Sequence, residues 1–286
     1  MALRKLFRRI SIPFINKFIN INYSELILKK YDSKHLKKYG LTIVKEFIKK
    51  DIIPKNIEYE IDSLLKEFDT YEKVRSIKKL DAFSSGDYKT KSFKILRKMP
   101  FLKDLEDKEY SGLDEGLIDI FNPELKLRNN HWLHFLIKIA KKEFEVNNIP
   151  QDFNLQYTHS NLYIYRNVTF PRCLHFDSYK KQFKLFVALN PSFSKDKGCY
   201  CYIPFSHKLP LIMIQIFGRL INTIKGNSDL GFYPRTDSTL FNIKNSLPLI
   251  LSTGDSFITC QAGVHGDSPS ENPSNRYVLV LNYSEF

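Results

Sequence analysis

A series of short strand candidates in the second half of the chain constrains the fold most. Five segments there are rich in β-branched and aromatic residues and are separated by Gly, Pro, Asn and Ser: Leu155–Arg166, Phe183–Asn190, Cys199–Pro204, Ser256–Gln261 and Arg276–Tyr283. One helical candidate, at about residues 209–224, interrupts them. Such a series predicts a β-barrel or sandwich.

The first 150 residues carry a different, mainly helical pattern. Apolar residues recur at three- and four-residue spacing in residues 33–51 and 129–146, whereas residues 56–68 begin strand-like and then become helical. Residues 84–130 are less regular, and no linker or internal repeat divides the chain. We therefore predict one domain over residues 1–286 of the α+β class. A mainly helical region, 1–150, would pack outside a mainly β core, 151–286.

Charge and cysteine content restrict the partners and the compartment. The chain has 286 residues with a formal net charge of +13, which fits either acidic partners or simply a solvated Lys-rich surface. The basic N-terminus, residues 1–18, either lies on a membrane surface or packs on its own domain or on a partner subunit. No apolar run has the length of a transmembrane helix, and residues 1–18 lack the continuous apolar core and the small-residue cleavage site of a secretory signal. We expect a cytoplasmic protein with reduced thiols at Cys173, Cys199, Cys201 and Cys260.

Two metal-ligating residue types stand two positions apart in the segment "CLHFDSYKKQF", residues 173–183. Side chains alternate along a strand, so His175 and Asp177 would point to the same side and Phe176 to the other. A carboxylate inside a barrel is costly unless it is paired or binds a metal. The spacing alone also fits a hydrogen-bonded His–Asp pair at the end of a strand.

The C-terminal segment adds a second histidine and an arginine. His265 follows a strand that starts after the turn Gly254-Asp255, and Arg276 opens the last strand after the loop-like residues 266–275. Arg276 would share one side of that strand with Val278, Val280 and Asn282. A lone arginine on such a face favours an anion. Two histidines and one carboxylate on a β-scaffold are typical of non-haem Fe(II) oxygenases.

Three motifs together resemble the phytanoyl-CoA dioxygenase family of Fe(II)/2-oxoglutarate-dependent oxygenases. The first is His175-x-Asp177, and the third is His265 followed by Arg276 eleven residues later. The second, "KGCYCYIPFSHK" at residues 197–208, is similar to a family segment in Gly198, Pro204, Ser206, His207 and Lys208. The resemblance covers residues 175–276; the N-terminal half is similar only in being helical.

The resemblance implies a double-stranded β-helix (a jelly-roll, cupin-like barrel) with Fe(II) bound by His175, Asp177 and His265. The co-substrate 2-oxoglutarate would chelate the iron and reach Arg276, and no catalytic residue is expected beyond the metal centre. The implied reaction uses dioxygen to hydroxylate a small molecule and releases succinate and CO₂. The basic charge favours an anionic substrate, such as an acyl-CoA, a lipid or a saccharide intermediate. The carboxylate at position 177 favours oxygenation over halogenation.

One position departs from the family pattern. Asp267 stands where family members often have a serine that supports 2-oxoglutarate. We expect Asp267 to point outward and Ser268 to support 2-oxoglutarate in its place. Arg276 and Ser268 are then the co-substrate-binding residues.

A second hypothesis belongs to a different class of function. It is a catalytically inactive barrel that binds nucleic acid or a membrane surface through its basic charge. Nucleic acid is the less expected partner, because no basic pattern with stacking aromatics stands out. The identity of the substrate and the oligomeric state are not determined by the sequence.

Overall fold

The computed structural model describes residues 21–66, 117–127, 129–147, 155–165, 174, 177, 182–191, 198–208, 246–268 and 275–285. The strands are β1 Ile27–Leu28, β2 Leu41–Val44, β3 Leu117–Phe121, β4 Leu155–Tyr165, β5 Gln182–Ala188, β6 Tyr200–Tyr202, β7 Leu247–Pro248, β8 Ser256–Cys260, β9 His265–Asp267 and β10 Arg276–Glu285. The helices are α1 Ser33–Tyr39, α2 at residues 57–66, α3 Pro123–Lys126 and α4 His131–Asn147. Short 3-10 helices cover Tyr23–Leu26 and Lys50–Ile52.

The strands form two sheets. The large sheet has the order β1-β2-β8-β5-β10-β4-β3, and the small sheet has the order β7-β6-β9. Neighbouring strands are antiparallel except β1 and β2, which are parallel. The order β4-β10-β5-β8 in the large sheet means that strands distant in sequence are hydrogen-bonded neighbours. This arrangement brings the two ends of the second half of the chain together.

Alternation along the large sheet produces two cores. On β10, Tyr277 and Leu279 belong to the core shared with helices α2 and α4, whereas Val278 and Val280 belong to the core shared with the small sheet. We call this second core the inter-sheet core. Its aromatic members include Phe186, Tyr200 and Phe257; the rings of Phe186 and Phe257 stack with centroids 4.5 Å apart. The large sheet is thus covered on both faces, by helices on one side and by the small sheet on the other.

The five strand candidates of the second half are all confirmed, with ends that differ by up to two residues. The helix predicted at 129–146 is also confirmed, as α4. The helix predicted over 33–51 is wrong beyond residue 39, because Gly40 ends α1 with a φ of 75° and Leu41–Val44 then form strand β2. The strand-like start predicted at 56–68 is wrong as well, since residues 57–66 are helical.

The sequence predicted a mainly helical N-terminal region, but the structure shows strands there as well. This region contributes β1, β2 and β3 to the large sheet, and β2 pairs with β8 of the predicted core. Strand β3 falls in the segment read as irregular. The basic N-terminal segment, residues 1–18, and the helical candidate at 209–224 lie outside the described residues. No helix in the described part of the chain has the length and hydropathy needed to cross a membrane.

Candidate metal centre

Asp177 and His265 lie side by side at one end of the inter-sheet core. The distance from His265 Nε2 to Asp177 Oδ1 is 3.7 Å. Asp177 is held there by its backbone N–H, which donates to the carbonyl of Gln261 at 3.0 Å, just beyond the end of β8. His265 opens β9. Two residues separated by 88 positions in sequence are therefore brought together by the pairing of the strands.

The orientation of the His265 ring is fixed from its other nitrogen. Nδ1 donates a hydrogen bond to the Gly263 carbonyl at 2.9 Å, so Nε2 is the atom that faces Asp177. The Tyr200 ring stacks on His265, with centroids 5.5 Å apart and planes at 17°. The imidazole is buried. A backbone acceptor on one ring nitrogen selects the tautomer in which the other nitrogen is a metal ligand.

Lys184 holds the other oxygen of the Asp177 carboxylate. The ammonium of Lys184, on β5, bonds to Asp177 Oδ2, while Oδ1 is the oxygen on the side of His265. Lys184 thus lies beside the carboxylate and orients it.

The geometry fits a bound metal ion better than a direct hydrogen bond. A separation of 3.7 Å exceeds that of an N–H···O bond. Neighbouring ligands at about 2.0–2.2 Å from one metal ion lie roughly 3 Å from each other, so the two atoms need to approach by less than about 1 Å to bind the same ion. His175, the third predicted ligand, lies outside the described residues. Among the described side chains alone, no group of three or more metal-ligating residues is found.

Arg276 lies in the inter-sheet space too, but an acid already binds it. Its Nη1 donates to Asp267 Oδ1 at 3.0 Å, and its guanidinium lies 3.9 Å from the centre of the Tyr165 ring. Burial, the largest single cause, lowers the pKa of Arg276, but the charge and hydrogen bond of Asp267 together with Tyr165 and Cys199 raise the pKa overall. The guanidinium therefore stays charged in a buried site.

The expectation that Asp267 points outward is wrong. Asp267 is buried, because His265 and Asp267 are two positions apart on β9 and therefore share a face. The buried guanidinium of Arg276 also needs a counter-charge, and Asp267 is the residue that provides it.

Ser268 is placed beside Cys199. The Ser268 hydroxyl lies 3.3 Å from Cys199 Sγ, and its N–H donates to the Cys199 carbonyl at 2.8 Å. A hydrogen bond from Cys201 is the largest cause that lowers the pKa of Cys199, to about 7; burial opposes it, and Ser268 and Arg276 add to it. Whether Ser268 also supports a co-substrate stays a prediction. The described cysteines Cys199, Cys201 and Cys260 are buried free thiols.

A polar group next to Asp177 was not identified from the sequence. The Tyr200 hydroxyl lies 3.3 Å from Thr259 Oγ1, and Gln261 Nε2 donates to the same oxygen at 2.8 Å. Burial, followed by the charges of Asp177 and Asp267, raises the pKa of Tyr200 well above 10. The signal was present as polar residues at alternate positions, 259 and 261, of a predicted strand.

Three further histidines lie away from Asp177 and His265 in their contacts or exposure. His134 Nε2 donates to the Leu127 carbonyl at 3.0 Å, and His131 is exposed on α4. His207 Nε2 donates to the Lys37 carbonyl at 3.0 Å, near the end of α1. The motif residue His207 therefore anchors its segment to α1.

Comparison with known proteins yields similar structures only. No protein-family model matches the chain, and no curated protein sequence matches it. One similar structure is SnoK, a non-heme alpha ketoglutarate dependent carbocyclase from nogalamycin biosynthesis, with 12% identity, coverage of 93% of this chain and 85% of that chain, and a TM-score of 0.49. Another is HygX from Streptomyces hygroscopicus with nickel and 2-oxoglutarate bound, with 11% identity, coverage of 93% and 87%, and a TM-score of 0.48.

A third similar structure is the epimerase SnoN in complex with Fe3+, alpha ketoglutarate and nogalamycin RO. It has 14% identity, covers 87% of this chain and 80% of that chain, and gives a TM-score of 0.46. At these TM-scores the likenesses do not assign a function to the chain. The assignment depends on the side chains around Asp177 and His265.

Proposed function

We propose that the chain is a non-haem Fe(II)- and 2-oxoglutarate-dependent oxygenase with a double-stranded β-helix core that acts on a small molecule. The observation that carries the proposal is the approach of His265 Nε2 to Asp177 Oδ1, at 3.7 Å, with the other atoms of both groups already held. His175, two positions before Asp177, would complete the two-histidine, one-carboxylate set. The family resemblance in the sequence points to the same three residues.

Contacts within the chain hold the two proposed ligand side chains in position without a metal ion. The Gly263 carbonyl keeps Nε2 of His265 directed at Asp177, and Lys184 holds the second carboxylate oxygen. The carboxylate would therefore bind the ion through one oxygen, Oδ1. Iron with a chelating 2-oxo acid and dioxygen supplies the oxidation of a substrate C–H bond, coupled to release of succinate and CO₂.

The surroundings of the site suit chemistry that must exclude water. Tyr200, Phe186 and Phe257 form an aromatic wall between the sheets, and Tyr200 covers one face of the His265 ring. Such a wall limits the access of solvent and lowers the local dielectric around the charged groups. A small-molecule substrate, anionic in view of the net charge of +13, is the proposed class.

Hydroxylation and the phytanoyl-CoA dioxygenase family are parts of the same proposal, supported by the sequence motifs. A cytoplasmic location belongs to it as well, supported by the free thiols of Cys199, Cys201 and Cys260. The family resemblance implies that Arg276, with Ser268 nearby, contacts the far carboxylate of 2-oxoglutarate. In the structure, however, Asp267 is hydrogen-bonded to Arg276. The guanidinium therefore does not fit the role of an open anion site, and a second carboxylate would have to share it.

Anaerobic metal loading tests the proposal. The protein is mixed with Fe(II) and 2-oxoglutarate without oxygen, and the weak visible absorption band of the chelated metal is recorded. We expect the band in the wild type and in a His131→Ala control, whose histidine is exposed on α4, and its loss in His175→Ala. A band that survives His175→Ala would refute the ligand assignment.

Oxygen then separates an enzyme from an inactive barrel. Admission of dioxygen to the loaded protein with a pool of metabolites should release succinate. Metal binding without succinate release would instead support the second hypothesis, in which the barrel binds a partner without turnover.

A further inference from the structure

We propose that Asp267 sets the selectivity of the co-substrate site against a second carboxylate, so that the 2-oxo acid is recognised by its chelating end rather than by a charged tail. This inference rests on the proposed function, because it concerns the same site. It assigns to Asp267 the part of a specificity-determining residue.

Asp267 has the right place for this part. It shares a face of β9 with His265, two positions away, and it is the register partner of Tyr200, whose ring stacks on His265. The ion pair of Asp267 with Arg276 therefore lies in the same inter-sheet space as the candidate metal ligands. A molecule chelated at Asp177 and His265 and extending along β9 would meet this pair.

The charge balance of the pair argues against a charged tail. Arg276 is buried with its guanidinium on the Tyr165 ring, and Asp267 neutralises it at 3.0 Å. A second carboxylate at the guanidinium would place two negative charges beside one positive charge in a buried site, where like charges repel strongly. A tail without charge would leave the pair intact.

Displacement of Asp267 by the incoming tail is also unfavourable. Asp267 is only 5% exposed, so a carboxylate released from Arg276 would remain buried without its counter-charge. The tail carboxylate would gain the contacts with Arg276 that Asp267 loses, so replacing one carboxylate by the other provides little net binding free energy. A neutral residue at position 267 would remove both the repulsion between the two carboxylates and the cost of displacing Asp267.

Two ligands isolate the tail from the chelating end. 2-Oxoglutarate and 2-oxovalerate have the same five-carbon chain and the same 2-oxo-carboxylate, and they differ in the second carboxylate. Dissociation constants are measured by anaerobic calorimetry with the Fe(II)-loaded full chain. We expect 2-oxovalerate to bind the wild type at least as tightly as 2-oxoglutarate. In Asp267→Asn we expect the affinity for 2-oxoglutarate to rise about tenfold while that for 2-oxovalerate is unchanged.

A matched control and the wild-type ratio make the outcome unambiguous. Asp255→Asn removes the charge of a different buried carboxylate, which pairs with Lys45 just after β2. This variant should leave the ratio of the two affinities unchanged. If Asp267→Asn does not fold, the wild-type ratio alone tests the inference. Wild-type binding of 2-oxoglutarate tenfold tighter than that of 2-oxovalerate would overturn it, as would an unchanged ratio in folded Asp267→Asn. Binding of neither ligand to metal-loaded protein would instead reject the proposed function.

Discussion

Two charged clusters share the space between the sheets, and they are built differently. We call Asp177, Lys184 and His265 the ligand cluster, and Tyr165, Asp267 and Arg276 the arginine cluster. In the arginine cluster the side chains of both charged residues are about 4–5% exposed and hydrogen-bonded to each other at 3.0 Å. In the ligand cluster Lys184 and Asp177 are 20% and 14% exposed, and the imidazole stands 3.7 Å from the carboxylate.

The arginine cluster is a closed ion pair, whereas the ligand cluster has the geometry of a site for a metal ion. Asp267 and Arg276 satisfy each other, so the arginine cluster neutralises itself. His265 Nε2 and Asp177 Oδ1 approach each other at a distance that suits two ligands of one cation. We therefore expect the ligand cluster to control metal binding and the arginine cluster to control stability and the choice of co-substrate.

Removal of His265 tests the first half of this comparison and should have the largest effect. His265→Ala removes one of the two proposed metal ligands that lie in the described part of the chain. We therefore expect no detectable binding of Fe(II), measured anaerobically by calorimetry. His131→Ala, the same substitution at an exposed helical position, should bind as the wild type does. Retained binding in His265→Ala would mean that the two clusters do not differ in the proposed way.

Removal of Arg276 tests the second half. Arg276→Ala leaves Asp267 buried without its counter-charge, so the free energy of unfolding should fall by about 3–5 kcal/mol. Lys184→Ala in the ligand cluster should cost less than about 1 kcal/mol, since that pair is partly exposed. Chemical denaturation at constant pH measures both.

A double variant distinguishes lost charge balance from lost packing. Arg276→Met combined with Asp267→Leu replaces both partners by apolar side chains, and it should recover most of the stability. If the double variant is as unstable as Arg276→Ala, the packing of the guanidinium on Tyr165, rather than its charge, holds this region.

Gly263 links the ligand cluster to the small sheet, and its replacement should have an intermediate effect. A Cβ at Gly263 would lie 1.9 Å from the Tyr202 hydroxyl oxygen, so in Gly263→Ala either the Tyr202 ring or the chain at residue 263 must shift. We expect a loss of about 1–3 kcal/mol of stability. A shift of the chain would also move the Gly263 carbonyl that orients His265, and we expect metal affinity to fall about tenfold. Unchanged metal affinity in a destabilised variant would show that this carbonyl does not position the ligand.

The barrel strands were predictable because their residue pattern is local. Alternating apolar residues and flanking turn residues mark β4, β5, β8 and β10, whereas the pairing partners of these strands were not predicted. Strand β2 was not predictable in this way, because the apolar run Leu41–Val44 continues the helical spacing of the preceding residues. Its strand conformation depends on pairing with β8, a contact across more than 200 residues.

The candidate site shows the same division. His265 and Asp177 were recognised by residue type and motif, and the structure brings them together. The inward position of Asp267 was not predicted, because residues 266–275 were expected to be loop-like and the expected anion-binding role of Arg276 favoured an outward Asp267. Lys184 and Gly263 were missed because their parts depend on atoms of other strands.

Acid sensitivity outside both clusters must be known before pH effects are assigned to either, and His207 is the group to examine. Burial, the largest cause, lowers the pKa of His207 from 6.5 to about 4, so the folded state keeps the ring neutral. Above pH 6.5 the ring is neutral in both states. As the pH falls from about 6.5 to 4, the unfolded chain takes up a proton that the folded chain does not, and the free energy of unfolding decreases.

His207→Gln removes this proton uptake while an amide N–H remains for the Lys37 carbonyl that His207 contacts. Between pH 7 and pH 4.5, denaturation curves should show a smaller loss of stability in the variant, by about 1–2 kcal/mol. Its metal affinity at pH 7 should equal that of the wild type, because His207 contacts α1 rather than the ligand cluster. Equal acid losses in the variant and the wild type would show that His207 is not the source of the acid sensitivity.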